Sequence, residues 1–225
     1  MKSPIFRLMG DRALIVSLGT GLDPEINHDL RRLLAALDHH RASGIIDLIP
    51  AYSSLTIIYD PLIIDPEHLI DQIEDLWPRL EQLSLPPAKT IDIPVIYGGT
   101  YGPDLEWVAD RCGLSPREVI RIHTDATYLV YMIGFTPGFP YMGLVPEAIA
   151  VPRLDSPRIR VPRGSVALAQ RQTGIYPVES PGGWRIIGWT PLTLFAPHER
   201  PPSLLSMGDQ VKFVPVTEPE ALTWP

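Results

Sequence analysis

The sequence predicts an α+β fold in two domains, on three observations. The chain has 225 residues, more than the usual size of a single domain. Its first part alternates strand and helix patterns in the order ββαββα, which is typical of helices packed on one face of an antiparallel sheet. Its second part is rich in proline and glycine, which favours short strands joined by tight turns. We therefore predict an α+β domain over 1–84, a linker over 84–88 and a mostly β domain over 89–225.

The elements of the N-terminal domain follow from local signals. Asp23-Pro24 and Asp65-Pro66 each combine an N-cap with a first-turn proline, so each predicts the start of a helix. Apolar residues recur at helical intervals after both signals. Pro78 is expected to kink or shorten the second helix, because it lacks a backbone donor and crowds the preceding turn. The four strands are predicted at 4–9, 12–18, 45–49 and 55–59.

The C-terminal domain is predicted to begin with a strand over 89–97 and two helices. The first helix lies between Gly102 and Gly113, and Ser115 with Glu118 has the spacing of a capping box at the start of the second. The turns that follow would present Arg, Gln, Tyr and Trp side chains on one rim of a barrel. Later strands are predicted at 128–133, 161–169, 184–194 and 211–216.

Composition argues against several classes of partner. Only 19 basic residues face 26 acidic ones, so the net charge is −7, and we expect no binding to nucleic acid or to an anionic membrane. No apolar run approaches the length of a membrane span. The single cysteine excludes an internal disulfide and fits a reducing compartment, so we expect a cytoplasmic protein.

Several catalytic signatures are missing from the chain. It contains no GxxxxGK[ST] loop and only three lysines, so we do not expect it to bind ATP through a phosphate loop of its own. It contains neither HExxH nor GxSxG, and its six histidines are scattered, so we expect no metal ligated by this chain and no serine nucleophile.

An arginine cluster lies in residues 151–190, where six arginines face two carboxylates. Arginine without lysine favours planar, bidentate recognition of a carboxylate or phosphate. Arg160 and Arg163, beside Gly164-Ser165, are the candidates for contact with a substrate anion. The alternative is a solvated strand face on which the arginine stems cover apolar surface.

Aromatic residues and paired glycines form a second candidate feature. Phe135, Phe139 and Tyr141 either form a wall for a flat or apolar ligand or a partner's proline, or fill the core. For Phe135 we favour the core. Gly182-Gly183 can bring backbone N–H groups close to an anion with Trp184 on one side, although a plain tight turn fits equally well.

An ordered set of motifs covers nearly the whole chain: YGGTYGPDLEWVA, GFTPGFPYMG, Pro-Arg at 152–153 and at 157–158, VPRGSVALAQRQTGIYPVESPGGW and IIGWTPLTLF. Together they resemble the family formed by the B subunit of 5-oxoprolinase, also known as allophanate hydrolase subunit 1 and as the sporulation-kinase inhibitor family. The resemblance implies a ferredoxin-like N-terminal domain followed by a cyclophilin-like β-barrel. It marks as the site lining Asp104, His123, Pro137, Gly138, Arg163, Ser165, Gln172, Tyr176, Gly183 and Trp184.

The resemblance also implies partners. The chain would be a subunit of an ATP-dependent 5-oxoprolinase, working with a larger subunit of the allophanate hydrolase subunit 2 type and with a third protein that hydrolyses the lactam. ATP would be bound by a partner subunit or shared with it. Two other functions stay open: regulation of a histidine kinase that binds to the barrel, and biotin-linked carboxyl transfer on urea-derived substrates.

Overall fold

A computed structural model describes residues 3–39 and 43–224 of the chain. The chain divides into two compact units, Met1–Pro87 and Ala88–Pro225. The ends of the predicted domains, residues 1, 2 and 225, lie outside the described residues. Within the described ranges no helix is both long and apolar enough to cross a membrane.

The N-terminal unit is a four-stranded antiparallel sheet with helices on one face. The sheet order is β1-β2-β4-β3, and apolar residues of both helices, such as Leu30 and Ile73, are fully buried. Moving β1 behind the last helix would turn the observed ββαββα order into the βαββαβ order of ferredoxin-like folds. The ferredoxin-like assignment itself stays a prediction. The elements are β1 Ile5–Leu8, β2 Ala13–Ser17, α1 Pro24–His39, β3 Ile45–Pro50, β4 Ser54–Tyr59, α2 Pro66–Leu76 and a 3₁₀ segment Trp77–Gln82.

The helix signals of this unit act as predicted. The Asp65 carboxylate accepts the backbone N–H of His68 at 2.9 Å, which satisfies one of the orphan donors at the start of α2. The α-helix ends at Leu76, and Pro78 lies in the tighter 3₁₀ segment that follows. The shortening effect of Pro78 is thus confirmed.

The C-terminal unit is built around a closed seven-stranded barrel. Its strands follow the order β10-β7-β6-β13-β5-β12-β9, with β13 parallel to β5 and the other neighbouring pairs antiparallel, while β8 and β11 form a separate two-stranded sheet. A closed barrel is therefore observed, and its cyclophilin-like character stays a prediction. The elements are β5 Thr90–Tyr97, α3 Leu105–Cys112, α4 Pro116–Asp125, β6 Thr127–Ile133, β7 Pro140–Gly143, a 3₁₀ turn Glu147–Ile149, β8 Arg158–Val161, β9 Ser165–Ala169, β10 Gln172–Ile175, β11 Ser180–Gly182, β12 Arg185–Trp189, β13 Gln210–Pro215 and α5 Glu218–Leu222.

The two helices beside the barrel begin and end at identifiable signals. Both bonds of the predicted capping box are present, from the Ser115 N–H to Glu118 Oε2 and from the Glu118 N–H to Ser115 Oγ. The preceding helix ends at Gly113, whose φ of 67° suits a glycine at that position.

One strand prediction is wrong. The sequence pattern suggested a continuous strand over 161–169, but Val161 ends β8 in the small sheet and Ser165 begins β9 in the barrel. The turn between them contains Pro162, which has no donor, and Gly164 at φ 84°, whose N–H donates to the Tyr176 carbonyl at 2.7 Å. The strand predicted over 184–194 is also shorter and ends at Trp189.

The linker generates a first prediction. Residues 83–89 form neither helix nor strand, and most of their side chains are exposed. A protease of broad specificity should therefore cut first within 84–88 and release two folded fragments, because exposed connections are the preferred sites of nicking. Gel electrophoresis and intact mass of a digestion time course measure this. Early cuts inside 134–191, with the linker still intact, would show that the two units do not separate there.

Candidate functional site

A cavity of about 510 Å³ opens beside the barrel, between the turn after β6 and the small β8–β11 sheet. A volume of this size suits a small organic ligand. We call it the aromatic groove and define it by its principal lining residues, Phe135, Thr136, Phe139, Tyr141, Arg153, Tyr176, Ser180, Gly182, Gly183 and Trp184.

Phe139 lies at the centre of the aromatic rings. Its ring centroid is 4.9 Å from that of Tyr141, 5.2 Å from that of Tyr176 and 5.5 Å from that of Trp184. The last two pairs meet edge to face, the arrangement that the ring quadrupoles favour. Gly174 makes this packing possible, because a Cβ there would come within 2.8 Å of the Phe139 ring. The groove therefore has a closely packed aromatic floor.

The preference for a core position at Phe135 is wrong. Its side chain is 61% exposed, whereas Phe139 is buried. The backbone turns tightly between them, since the Thr136 N–H donates to the Gly134 carbonyl and the Phe139 N–H donates to the Thr136 carbonyl. Phe135 has a φ of 64°, so the chain carries its ring outward to the rim of the groove.

Arg153 supplies the positive charge of the groove. Its guanidinium lies 5.7 Å from the centroid of the Trp184 ring. Among the residues that the structure describes, it forms no ion pair. Burial raises the pKa of Tyr141 and of Tyr176, and the nearby Arg153 charge opposes both increases. The positive charge therefore acts on the interior of the groove.

Two hydroxyl oxygens in the groove are buried without a hydrogen-bond partner in the described part of the chain. They are Thr136 Oγ1 and Ser180 Oγ. Leaving a buried polar group unpaired costs about 1–3 kcal/mol, so such atoms are normally satisfied. Both residues line the cavity, so these hydroxyls are candidates for contact with a ligand.

Asp104 holds the groove's supporting elements together. Its Oδ1 accepts from Arg158 Nη2 at 2.8 Å, and its Oδ2 accepts the backbone N–H of Ile186 at 2.6 Å. Arg158 also donates to the carbonyl of Trp184 at 3.5 Å. Asp104 is buried, and it does not line the groove. The resemblance marked Asp104 as part of the site lining, but its place in the structure is outside the groove, where it bonds to residues of the surrounding strands.

His123 lies in the barrel core and is fully buried. Thr173 Oγ1 donates to the Ala167 carbonyl, so it accepts from His123 Nε2 at 3.0 Å, and the Tyr97 hydroxyl then donates to Nδ1 at 2.7 Å. The His123 ring also stacks on Phe213 at 4.4 Å. Burial lowers the pKa of His123 to about 3, so it is neutral at physiological pH.

The remaining candidates lie at several places. Ser165 Oγ donates to the Pro162 carbonyl, and Arg163 donates to Thr193 Oγ1, both at 2.8 Å. Arg160 pairs with Glu179 and is three-quarters exposed. Gln172 is buried on β10, Pro137 is exposed, and Gly138 lies against Phe195. Of the eleven candidates, three line the groove: Tyr176, Gly183 and Trp184.

Three polar residues of the groove were not singled out from the sequence. Arg153 belongs to the arginine cluster, but its spacing does not distinguish it from the other five. Thr136 lies within the GFTPGF motif and Ser180 within the SPGGW motif, yet nothing in either pattern indicates an unpaired hydroxyl. Their role depends on tertiary packing.

Comparisons with known proteins define the family. The family model described as carboxyltransferase domain, subdomain C and D, matches residues 4–205. The B subunit of 5-oxoprolinase from Bacillus subtilis (strain 168) is 43% identical over 220 residues, covering 93% of this chain and 92% of that protein. The chain belongs to this family, which confirms the resemblance seen in its motifs.

Solved structures share the fold. The crystal structure of TTHA0988 is 38% identical with a TM-score of 0.81, and the match covers 92% of this chain but only 40% of that one. The present chain thus spans about two-fifths of that protein's length. The K. lactis urea amidolyase matches with a TM-score of 0.78 at 23% identity, covering 98% of this chain and 15% of that one, which shows a common fold.

The Asp104 ion pair gives a second prediction. Asp104→Asn should lower the free energy of unfolding by about 2–4 kcal/mol, because it leaves the partly buried Arg158 charge without its buried partner. Glu179→Gln is the matched control. It breaks a pair whose side chains are 75% and 48% exposed, so it should cost less than about 1 kcal/mol. Urea unfolding of both variants measures this, and equal losses would contradict the structural role of Asp104.

His123 gives a third prediction, a dependence of stability on pH. Its pKa is about 3 in the folded protein, against 6.5 for an unperturbed histidine. Between these values the unfolded chain binds more protons, so stability falls as the pH is lowered through this window, by up to about 1.4 kcal/mol per pH unit. His123→Gln should reduce this slope.

Urea unfolding at pH 7, 6 and 5 tests the prediction. His28→Gln is the control, because His28 is exposed on α1. If the slope of His123→Gln equals those of the wild type and of the control, His123 does not stay neutral in the folded barrel.

Proposed function

We propose that the chain is a non-autonomous subunit of an ATP-dependent 5-oxoprolinase. The assembly would convert 5-oxo-L-proline, ATP and water to L-glutamate, ADP and phosphate. The observation that carries the proposal is the 43% identity, over nearly the full length of both chains, to a protein named as the B subunit of 5-oxoprolinase.

The chemistry of the groove supports a subunit rather than a complete enzyme. Opening a lactam needs a nucleophile or base and activation of the amide. The ionisable residues that line the groove are Arg153, Tyr141 and Tyr176, and the lining includes no carboxylate, histidine or cysteine within the part of the chain described. Burial raises the pKa of both tyrosines, so neither is a base near neutral pH. The groove can bind and orient, and the reacting groups would come from partners.

The partners we propose are a larger subunit of the allophanate hydrolase subunit 2 type and a third protein that hydrolyses the lactam. The length of TTHA0988 is consistent with a larger second part joined to a chain of this kind. ATP would bind to a partner or at a shared interface, where phosphorylation of the amide oxygen would be one means of activation.

A second candidate is carboxyl transfer by a related assembly. The description of the family as a carboxyltransferase domain favours it. The likeness to urea amidolyase supports the same fold and not the same substrate. Gene context separates the candidates: a neighbouring biotin carboxylase would favour carboxyl transfer, whereas neighbouring 5-oxoprolinase subunits would favour lactam opening.

Reconstitution gives a fourth prediction. The isolated chain should neither hydrolyse ATP nor open 5-oxoproline, and 5-oxoproline-dependent ADP release should require all three components. Mixtures that each omit one folded component are the controls. Turnover by the chain alone would contradict the subunit proposal. An inactive complete mixture, together with tight binding of the chain to a histidine kinase, would favour the regulatory alternative.

A further inference from the structure

We infer that the aromatic groove is itself a binding site for a small lactam carboxylate, with Arg153 as the anchor of the carboxylate and the hydroxyls of Thr136 and Ser180 as contacts of the ring amide. This inference rests on the proposed function and adds to it. It places substrate recognition on this chain, and it names residues that neither the motifs nor the family resemblance singled out.

Arg153 differs from the other five arginines of the cluster because it alone among them lines the groove. Arg158 pairs with Asp104, Arg160 with Glu179 and Arg171 with Glu147. Arg163 and Arg185 have no carboxylate partner among the described residues, but they donate to Thr193 Oγ1 and to the Pro152 carbonyl, and neither lines the groove. Arg153 has no such carboxylate among the described residues and lies over the Trp184 ring inside the groove lining. A separation of 5.7 Å is within the range of cation–π attraction, which uses the ring face and leaves the guanidinium N–H groups available to bind a carboxylate in two parallel hydrogen bonds.

The two unpaired hydroxyls match the other polar groups of a lactam. A cyclic secondary amide has one donor, its N–H, and one acceptor, its carbonyl oxygen. A hydroxyl can both donate and accept, so Thr136 Oγ1 and Ser180 Oγ can satisfy this pair and be satisfied in return. The benefit is large because both oxygens are buried and would otherwise be desolvated without compensation.

The aromatic floor sets the shape of the ligand. The rings of Phe139, Tyr141 and Trp184 meet at centroid distances of 4.9–5.7 Å and at interplanar angles of 59–87°, so they form an apolar surface of mutually tilted rings. A five-membered lactam ring can lie on this surface with its polar edge toward the hydroxyls. At about 510 Å³ the cavity is larger than such a ring, so it leaves open a path for the reacting groups of a partner.

The test uses the purified full chain and three ligands: 5-oxo-L-proline, 2-pyrrolidinone, which lacks the carboxylate, and cyclopentanecarboxylate, which lacks the amide. Calorimetry and ligand-observed NMR measure affinity. Arg153→Gln should weaken 5-oxoproline and cyclopentanecarboxylate by about ten- to hundredfold and leave 2-pyrrolidinone unchanged. Arg171→Gln, in the same cluster but outside the groove, is the matched control and should behave as wild type.

A second pair of variants tests the hydroxyls. Thr136→Val combined with Ser180→Ala should weaken 5-oxoproline and 2-pyrrolidinone and leave cyclopentanecarboxylate unchanged. Ser84→Ala in the linker is the control. Circular dichroism and thermal unfolding establish that each variant is folded. If Arg153→Gln is not folded, Arg153→Lys replaces it. Lysine keeps the charge but cannot form the bidentate hydrogen bonds, so it should still weaken the binding of both carboxylate ligands.

Three results would overturn the inference. They are no binding of 5-oxoproline by the wild-type chain at millimolar concentration, equal effects of Arg153→Gln and Arg171→Gln, and loss of all three ligands alike in either groove variant. Failure of the proposed function is distinguishable: Arg153-dependent binding with an inactive reconstituted mixture would contradict the enzyme assignment and keep the site. An active mixture whose KM for 5-oxoproline is unchanged by Arg153→Gln would support the enzyme assignment and contradict the binding site.

Discussion

The buried carboxylate of Asp104 is the interaction on which the groove depends. Its two oxygens join Arg158 and the Ile186 backbone, which are 54 and 82 residues away in sequence. It thereby connects the start of α3 with the small sheet and with barrel strand β12. A single side chain fixes three elements here because a buried carboxylate is stable only when its acceptor sites are filled. This requirement helps to hold the small sheet, which forms one side of the groove, beside the barrel.

Glycines determine how closely the groove's aromatic rings can approach the backbone. Gly174 leaves room for Phe139, and a Cβ on Gly182 would collide with the Tyr176 hydroxyl. The density of glycine in this segment therefore reflects close ring-to-backbone packing as much as turn formation. The sequence suggested either a plain turn or an anion-binding turn at Gly182-Gly183. In the structure Gly182 belongs to strand β11 and Gly183 follows it, so close packing is a further reason for glycine here.

Local signals predicted most of the fold. The Asp-Pro starts of α1 and α2, the capping box at Ser115 and the effect of Pro78 act within one or two turns of chain, so sequence alone suffices. Closure of the barrel depends on pairings between distant strands, such as the parallel pair β5–β13, which no local pattern specifies. The break at Pro162–Gly164 was missed for the same reason: its apolar neighbours pack in two different sheets, yet they form one continuous pattern in the sequence.

The site was predicted less well than the fold, because motif resemblance does not separate residues that build the barrel from residues that face a ligand. Ser165 and Asp104 satisfy backbone groups, and both ring nitrogens of His123 are engaged in the core. A ligand could reach His123 only by breaking this network and opening the stack with Phe213. Arginines pose the converse problem, since nothing in the sequence distinguishes one from another, while their partners in the structure differ. Carboxylates from distant parts of the chain neutralise Arg158 and Arg171, Arg185 lies over Trp107, and Arg153 alone among the six lines the groove. Which arginine is available to bind a small anion therefore depends on tertiary charge pairing, which the order of residues along the chain does not reveal.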